Sequence, residues 1–269
     1  MTLLAILWQV IRRRRIGFLW WGLGLAAFVG LLAIAYPTVR DNSELDKTFA
    51  GLPPSVQTLL GLSAANTLTS PVGYLNSQYF ANVLPLILLV FAIGLGAWAI
   101  SGDEAAGTLE LLLANPVSRT QVAIARAAAL MVLLAALITV AAAALVALAA
   151  PTGLNKGLPP ERMVAATAAC GFLALAFGAV AFAVGAAWGK RSIAMASATT
   201  LAIGGYVIEG LAAQVKALQP VRAASPWHWL IDSDPLRHGL VAESWLLPLA
   251  VSLVLIGLGT AWFARRDLR

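Results

Sequence analysis

Six stretches of roughly twenty apolar residues constrain this chain of 269 residues more than any other feature. A helix needs about 20 residues to cross about 30 Å of hydrocarbon. The stretches are 17–36, 80–100, 119–150, 162–188, 192–213 and 245–263. Water is absent from the bilayer core, so a crossing segment must satisfy its own backbone groups, which a helix does. Only 11% of residues are charged, against about 25% in soluble domains. A disordered chain is excluded and an ordinary soluble globule is disfavoured. The expectation is one all-α membrane domain, 1–269, with six transmembrane helices and no detachable soluble unit.

The net charge of +6 and pI of 10.0 raise the question of nucleic acid. The charges flank apolar runs instead of covering a surface, so no nucleic-acid partner is expected. With six spans both termini share one side. That side carries 11 of the 18 basic residues and four of the 12 acids. The positive-inside rule makes it the cytoplasmic side. The first apolar run is too long for a signal-peptide core and reads as a retained helix. The first eleven residues are amphipathic or simply apolar and lead into Arg12–Arg15, a pattern suited to an interfacial helix over 1–15; the plainer reading is an extension of the first span.

Two segments on the opposite side exceed plain turns. Within 37–79 an apolar stretch, Val56 to Leu62, predicts a short surface helix. Within 214–244, Pro220, Pro226 and Pro235 break any span, and short re-entrant or surface helices are expected. Trp227, Trp229 and Trp245 there read as an interfacial belt. Small residues, notably Ala141–Ala144 and Gly185 to Gly189, suit close helix packing.

The loop Ser101 to Gln121 carries the most information. Ser101 with Glu104, and Ser118 with Gln121, have capping-box spacing. Asn115-Pro116 ends a helix, because the residue before proline avoids helical angles. A helix over 102–114 is therefore expected, with Ala105, Leu109, Leu112 and Leu113 as its apolar stripe and Asp103 and Glu110 on another face. Such an element either docks a protein partner or rests among headgroups. Its acids, repelled by an anionic leaflet, tilt the reading towards a partner.

Glu104-Ala-Ala-Gly-Thr-Leu-Glu110 and Pro116-Val-Ser-Arg119 resemble the coupling-helix region of ABC-2 type permeases, the membrane subunits of bacterial ATP-binding-cassette exporters. Phe263-Ala-Arg-Arg266-Asp267-Leu268 resembles the family's ending. Ser225-Pro226-Trp227 and Pro235-Leu236 resemble its last outer loop. The resemblance implies the ABC-2 exporter fold, a bacterial plasma-membrane location and a permease dimer. The second permease is an identical or similar copy. Two ATPase subunits carry the ATP and magnesium, and this chain holds no cofactor. By matching positions, Glu104, Gly107, Thr108, Leu109, Glu110, Leu113 and Arg119 are the implied ATPase contacts. Glu104 also has a capping reading and the leucines a packing one. The implied path lies near the second and fifth spans, where Leu84, Phe91 and Trp98 share one face and Thr199 and Tyr206 another. Aromatic stripes in helices are also ordinary packing.

Gly189-Lys190-Arg191 is the nearest approach to a P-loop, but Arg191 stands where Ser or Thr is required. No ATP hydrolysis is expected of this chain. His228, Asp232, Asp234 and His238 imitate a metal set, yet Pro235 intervenes and no metal site is expected. The lone cysteine, Cys170, reads as a core residue. Glu209, an ionisable group inside the fifth span, either attracts a cationic cargo or sits hydrated at the span's outer end, with Lys216 and Arg222 as partners. The expected function is ATP-driven outward movement of hydrophobic or amphipathic cargo, a drug-like or lipid-like molecule, as in multidrug efflux. The alternatives are an ABC-2 permease of an assembly or maturation system, and a secondary transporter or membrane scaffold without an ATPase. The absence of a midplane charge counts against a secondary transporter.

Overall fold

Long apolar runs without internal breakers propagate as helices until a proline, a left-handed glycine or a polar cap stops them. A computed structural model describes residues 2–42, 51–52, 56, 67–109, 117–212 and 215–266, and among them it is helical throughout, with no strand. The first span belongs to α1 (Leu3–Arg40). The second begins as α2 (Pro71–Leu75), passes through one π-helical turn (Asn76–Phe80) and continues as α3 (Val83–Trp98). A short α4 (Ser101–Ala105) follows. The remaining spans are α5 (Arg119–Thr152), α6 (Pro160–Trp188) and α7 (Arg191–Ala212). After a single 3-10 turn (Lys216–Leu218) come α8 (Gln219–Ala223), α9 (Pro226–Ile231) and α10 (Pro235–His238), then the sixth span, α11 (Ala242–Arg265).

The six expected spans are present, with one difference at the first and one at the second. Residues 3–15 do not form a separate interfacial helix; they run unbroken into the first span. Nothing between Leu3 and Gly17 breaks a helix, so the plainer reading is the observed one. The second span starts earlier than residue 80, because Ser70 caps Gly73 and Pro71 occupies the first helical turn. The expected surface helix over 56–62 lies outside the described residues, Val56 apart.

Helix α6 is the hub. About 72% of its most apolar stretch is buried, against 22% for α7 and 28% for α1 and α11. Its small residues explain this. A Cβ on Gly96 of α3 would collide with the carbonyl oxygen of Gly178 on α6. A Cβ on Gly259 of α11 would stand 2.8 Å from the Cα of Ala183. Backbones meet there directly, which gives packing in a solvent where hydrophobic drive is missing. Gly153 and Gly189, at φ +81° and +68°, terminate α5 and α6.

Tyrosines hold the first two spans together at the end far from the termini. The Tyr74 hydroxyl donates to the Leu32 carbonyl at 2.9 Å, and Tyr36 donates to Thr69 at 3.2 Å. At the other end lie Leu3, Trp98, Arg119, Trp188 and Arg265, and this terminal face carries the densest charge.

Candidate functional site

The terminal face is organised around the link between the second and third spans. The expected helix over 102–114 is not continuous. α4 ends at Ala105, and Gly107 turns the chain at φ +66°. Only glycine takes that conformation without strain. Ala105 and Leu109 therefore do not share a stripe: Ala105 is exposed and Leu109 is buried among Ala99, Ile100 and Ala123. Glu110, Leu112, Leu113 and the Asn115-Pro116 stop lie outside the described residues.

The first capping box is also absent. Ser101 lies inside the first turn of α4, after Ile100, and donates its hydroxyl back to the Ala97 carbonyl instead of capping the helix. The second is present: Ser118 Oγ accepts from Gln121 N at 3.1 Å, and Gln121 Oε1 accepts from Ser118 N at 3.1 Å.

Asp103 does not face a partner. It is 5% exposed and accepts a hydrogen bond from Arg126 of α5. Arg126 also donates to the Ala99 carbonyl at 2.7 Å. A buried carboxylate without a cation would be costly, and this pairing resolves it. The sequence carried a signal for it: Arg126 sits two turns inside an otherwise apolar helix and needs an acid. Glu104, half-buried, pairs with Arg266 beyond the sixth span. Arg119 donates to the backbone carbonyl of the same Arg266. Gly189 packs on this pair; a Cβ there would meet Glu104 Oε2 at 2.5 Å. Arg14 lies 3.9 Å over the Trp98 ring, and Arg126 approaches the same ring at 5.2 Å.

Of the expected contact set, Glu104, Thr108, Leu109 and Arg119 are thus drawn into the protein's own framework. Thr108 donates to the Asp103 carbonyl at 3.3 Å. Ala105, Ala106 and Gly107 form the exposed edge. Gly189-Lys190-Arg191 is the turn joining α6 to α7, two helices, whereas a phosphate-cradling loop follows a strand.

The expected path residues do not line one surface. Leu84 is fully buried. Phe91 packs edge-on against Trp21 and Phe18 of α1, at 5.7 and 6.5 Å. Trp98 lies beneath Arg14, and Thr199 is exposed. Tyr206 does bring the second and fifth spans together, donating to Asn82 Oδ1 at 2.6 Å while packing on Trp227.

Glu209 does not lie open at the outer end of its span. It is 8% exposed, its Oε1 lies 2.8 Å from Arg222 Nη2 and 2.9 Å from Arg222 Nε, and His228 Nδ1 stands 3.6 Å away. The Arg222 pairing matches the sequence expectation; the side chain of Lys216 lies outside the described residues. The Glu209 carboxylate, accepting that hydrogen bond, raises the Arg222 pKa above its ordinary value. The nearby groups of the metal-like set are spread out: His238 Nδ1 is 3.3 Å from the Ser233 carbonyl, and Asp234 is 3.6 Å from Arg237. Trp227 is not part of an interfacial belt. It is buried, with Nε1 donating 2.9 Å to the Ala202 carbonyl and Ser225 capping its helix. Gly205 makes room for it, since a Cβ there would stand 3.1 Å from Trp227 Cδ1.

The family described as ABC-2 family transporter protein matches this chain over residues 4–268. No curated protein matches it.

Proposed function

The chain belongs to the ABC-2 transporter family, as a multi-pass permease subunit, and on that premise we propose that it exports cargo by ATP-driven reorientation. The ATP and magnesium are held by a separate ABC ATPase. The termini and the 101–121 link face the cytoplasm of a bacterial cell, and the permease works as a dimer, most simply of identical copies. The cargo is hydrophobic or amphipathic, because the spans carry little charge.

One observation carries this reading. The link between the second and third spans is fastened to the bundle at several points: Asp103 to α5, Glu104 to the end of α11, Leu109 into the core. A push on such a segment is transmitted to the spans instead of being absorbed by a loose loop. Its exposed edge, Ala105 to Gly107, together with Glu110 and Leu113, is the surface offered to the ATPase. The buried Asp103 and the paired Glu104 act as positioning residues behind it.

The test is co-purification and transport. The chain and its ATPase, in inverted vesicles, accumulate a hydrophobic dye only with ATP. Glu110→Lys releases the ATPase and abolishes ATP-dependent accumulation. Undiminished association with normal coupled hydrolysis would remove Glu110 from the docking surface. Transport by this chain without any ATPase would overturn the reading and favour a secondary transporter.

A further inference from the structure

On the terminal side, α1 and α3 leave a groove between them. It consists of two adjoining cavities of about 140 and 380 Å³ that share Gly17 and Trp21. The first is lined by Phe18, Phe91 and Gly94, with Arg14 and Arg191 at its charged end. The second continues past Trp20 to Leu25 and Ile87. From Arg14 to Leu25 the helix advances about 16 Å, roughly half the hydrocarbon thickness. The groove therefore spans the depth of one leaflet. Glycines keep it open: a Cβ on Gly17, Gly24 or Gly94 would meet nothing within 4 Å.

The two ends differ in character. Beyond Gly17 the lining is apolar and aromatic. At the terminal end two guanidiniums converge, close enough to act on each other electrostatically. Neither forms a salt bridge among the described residues, and the nearby acid, Asp103, is committed to Arg126. Trp98 holds the Arg14 guanidinium in place from one side. Arg191 is also the first residue of α7, so the positive end of that helix adds to the field.

We propose that this groove is a binding site for one anionic phospholipid of the terminal-side leaflet, with a chain between α1 and α3 and the phosphate-bearing headgroup between Arg14 and Arg191. The charge at one end selects the headgroup, and the open aromatic channel takes the chain. A zwitterionic lipid fills the channel equally well and offers the same phosphate, but its own ammonium offsets that charge beside the two cations, which weakens the pairing. The site is independent of the cargo and of the ATPase contact.

Native mass spectrometry of the purified full-length chain in detergent tests this, with phosphatidylglycerol and phosphatidylcholine as probes. Phosphatidylglycerol binds more tightly, by about fivefold for each guanidinium. Arg191→Gln alone removes about one such factor, and Arg14→Gln with Arg191→Gln reduces binding to the phosphatidylcholine level. Gly94→Leu, which fills the channel where there is room, lowers binding of both lipids while helicity and melting temperature stay unchanged. Equal binding of the two lipids by the unaltered chain would overturn the proposal. So would unchanged phosphatidylglycerol binding in Gly94→Leu, or displacement of the lipid by millimolar inorganic phosphate, which would mark a free-anion site. Disulfide cross-linking of two copies through Gly24→Cys, with no lipid retained, would assign the groove to a second copy instead.

Discussion

Asp103 and Arg126 set the energetics of the terminal face. Each is at least nine-tenths buried, so removing one partner leaves an uncompensated charge in an apolar setting. Asp103→Ala is expected to destabilise the protein by about 3 kcal/mol, seen as a lower melting temperature in detergent. The double variant Asp103→Leu with Arg126→Leu recovers most of that loss, because no lone charge remains. Equal stability of the single variant and the unaltered chain would contradict the pairing. Glu209 makes a contrasting case. Its carboxylate already serves Arg222, whose pKa is raised by that hydrogen bond. Glu209→Gln should therefore leave the export ratio of cationic to neutral cargo unchanged while lowering stability modestly. A selective fall in cation export would show that Glu209 faces cargo. Arg222 was legible as a partner because it lies just past the span that holds Glu209. His228 was not, since only the fold of α9 against α7 brings it within reach.

Element boundaries followed local chemistry where a cap or a proline acted alone. Ser118 with Gln121, Pro71, Pro160 and Pro226 all stand where their backbone geometry suits a helix start. The expected box at Ser101 failed because Ile100, not Ser101, holds the cap position: Ser101 stands inside the first turn of α4, and its hydroxyl bonds back to the Ala97 carbonyl instead. The expected helix over 102–114 failed at Gly107, a residue whose freedom to take positive φ cannot be told from composition. The pairing of elements depends on Gly96 and Gly178. Gly96→Leu is expected to separate α3 from α6 and to destabilise by more than about 1–3 kcal/mol, since backbone, not a yielding side chain, stands in the way. Gly17→Ala, where space is open, should leave the stability within about 0.5 kcal/mol of that of the unaltered chain. Similar losses in both would argue against the close approach.

Across the molecule, the terminal face ties most of the spans into one charged plate. Arg14 of α1 meets Trp98 of α3, Arg126 of α5 meets Asp103, the α6–α7 turn packs on Glu104, and Arg266 follows α11. If the link between the second and third spans transmits force, weakening the plate should uncouple. Arg266→Gln is expected to preserve ATP hydrolysis by the assembled complex while lowering transport several-fold; equal losses in both would mean that the complex had merely fallen apart. The membrane class, the number of crossings and the sidedness of charge follow from the chain alone, because a crossing needs about 20 apolar residues whatever surrounds it. Small residues also announced close packing. Which glycines touch, which acids are buried and which tryptophan leaves the interface for the core were decided by tertiary structure. Those outcomes depend on what lies opposite, and a one-dimensional pattern holds no record of the neighbour across a helix pair.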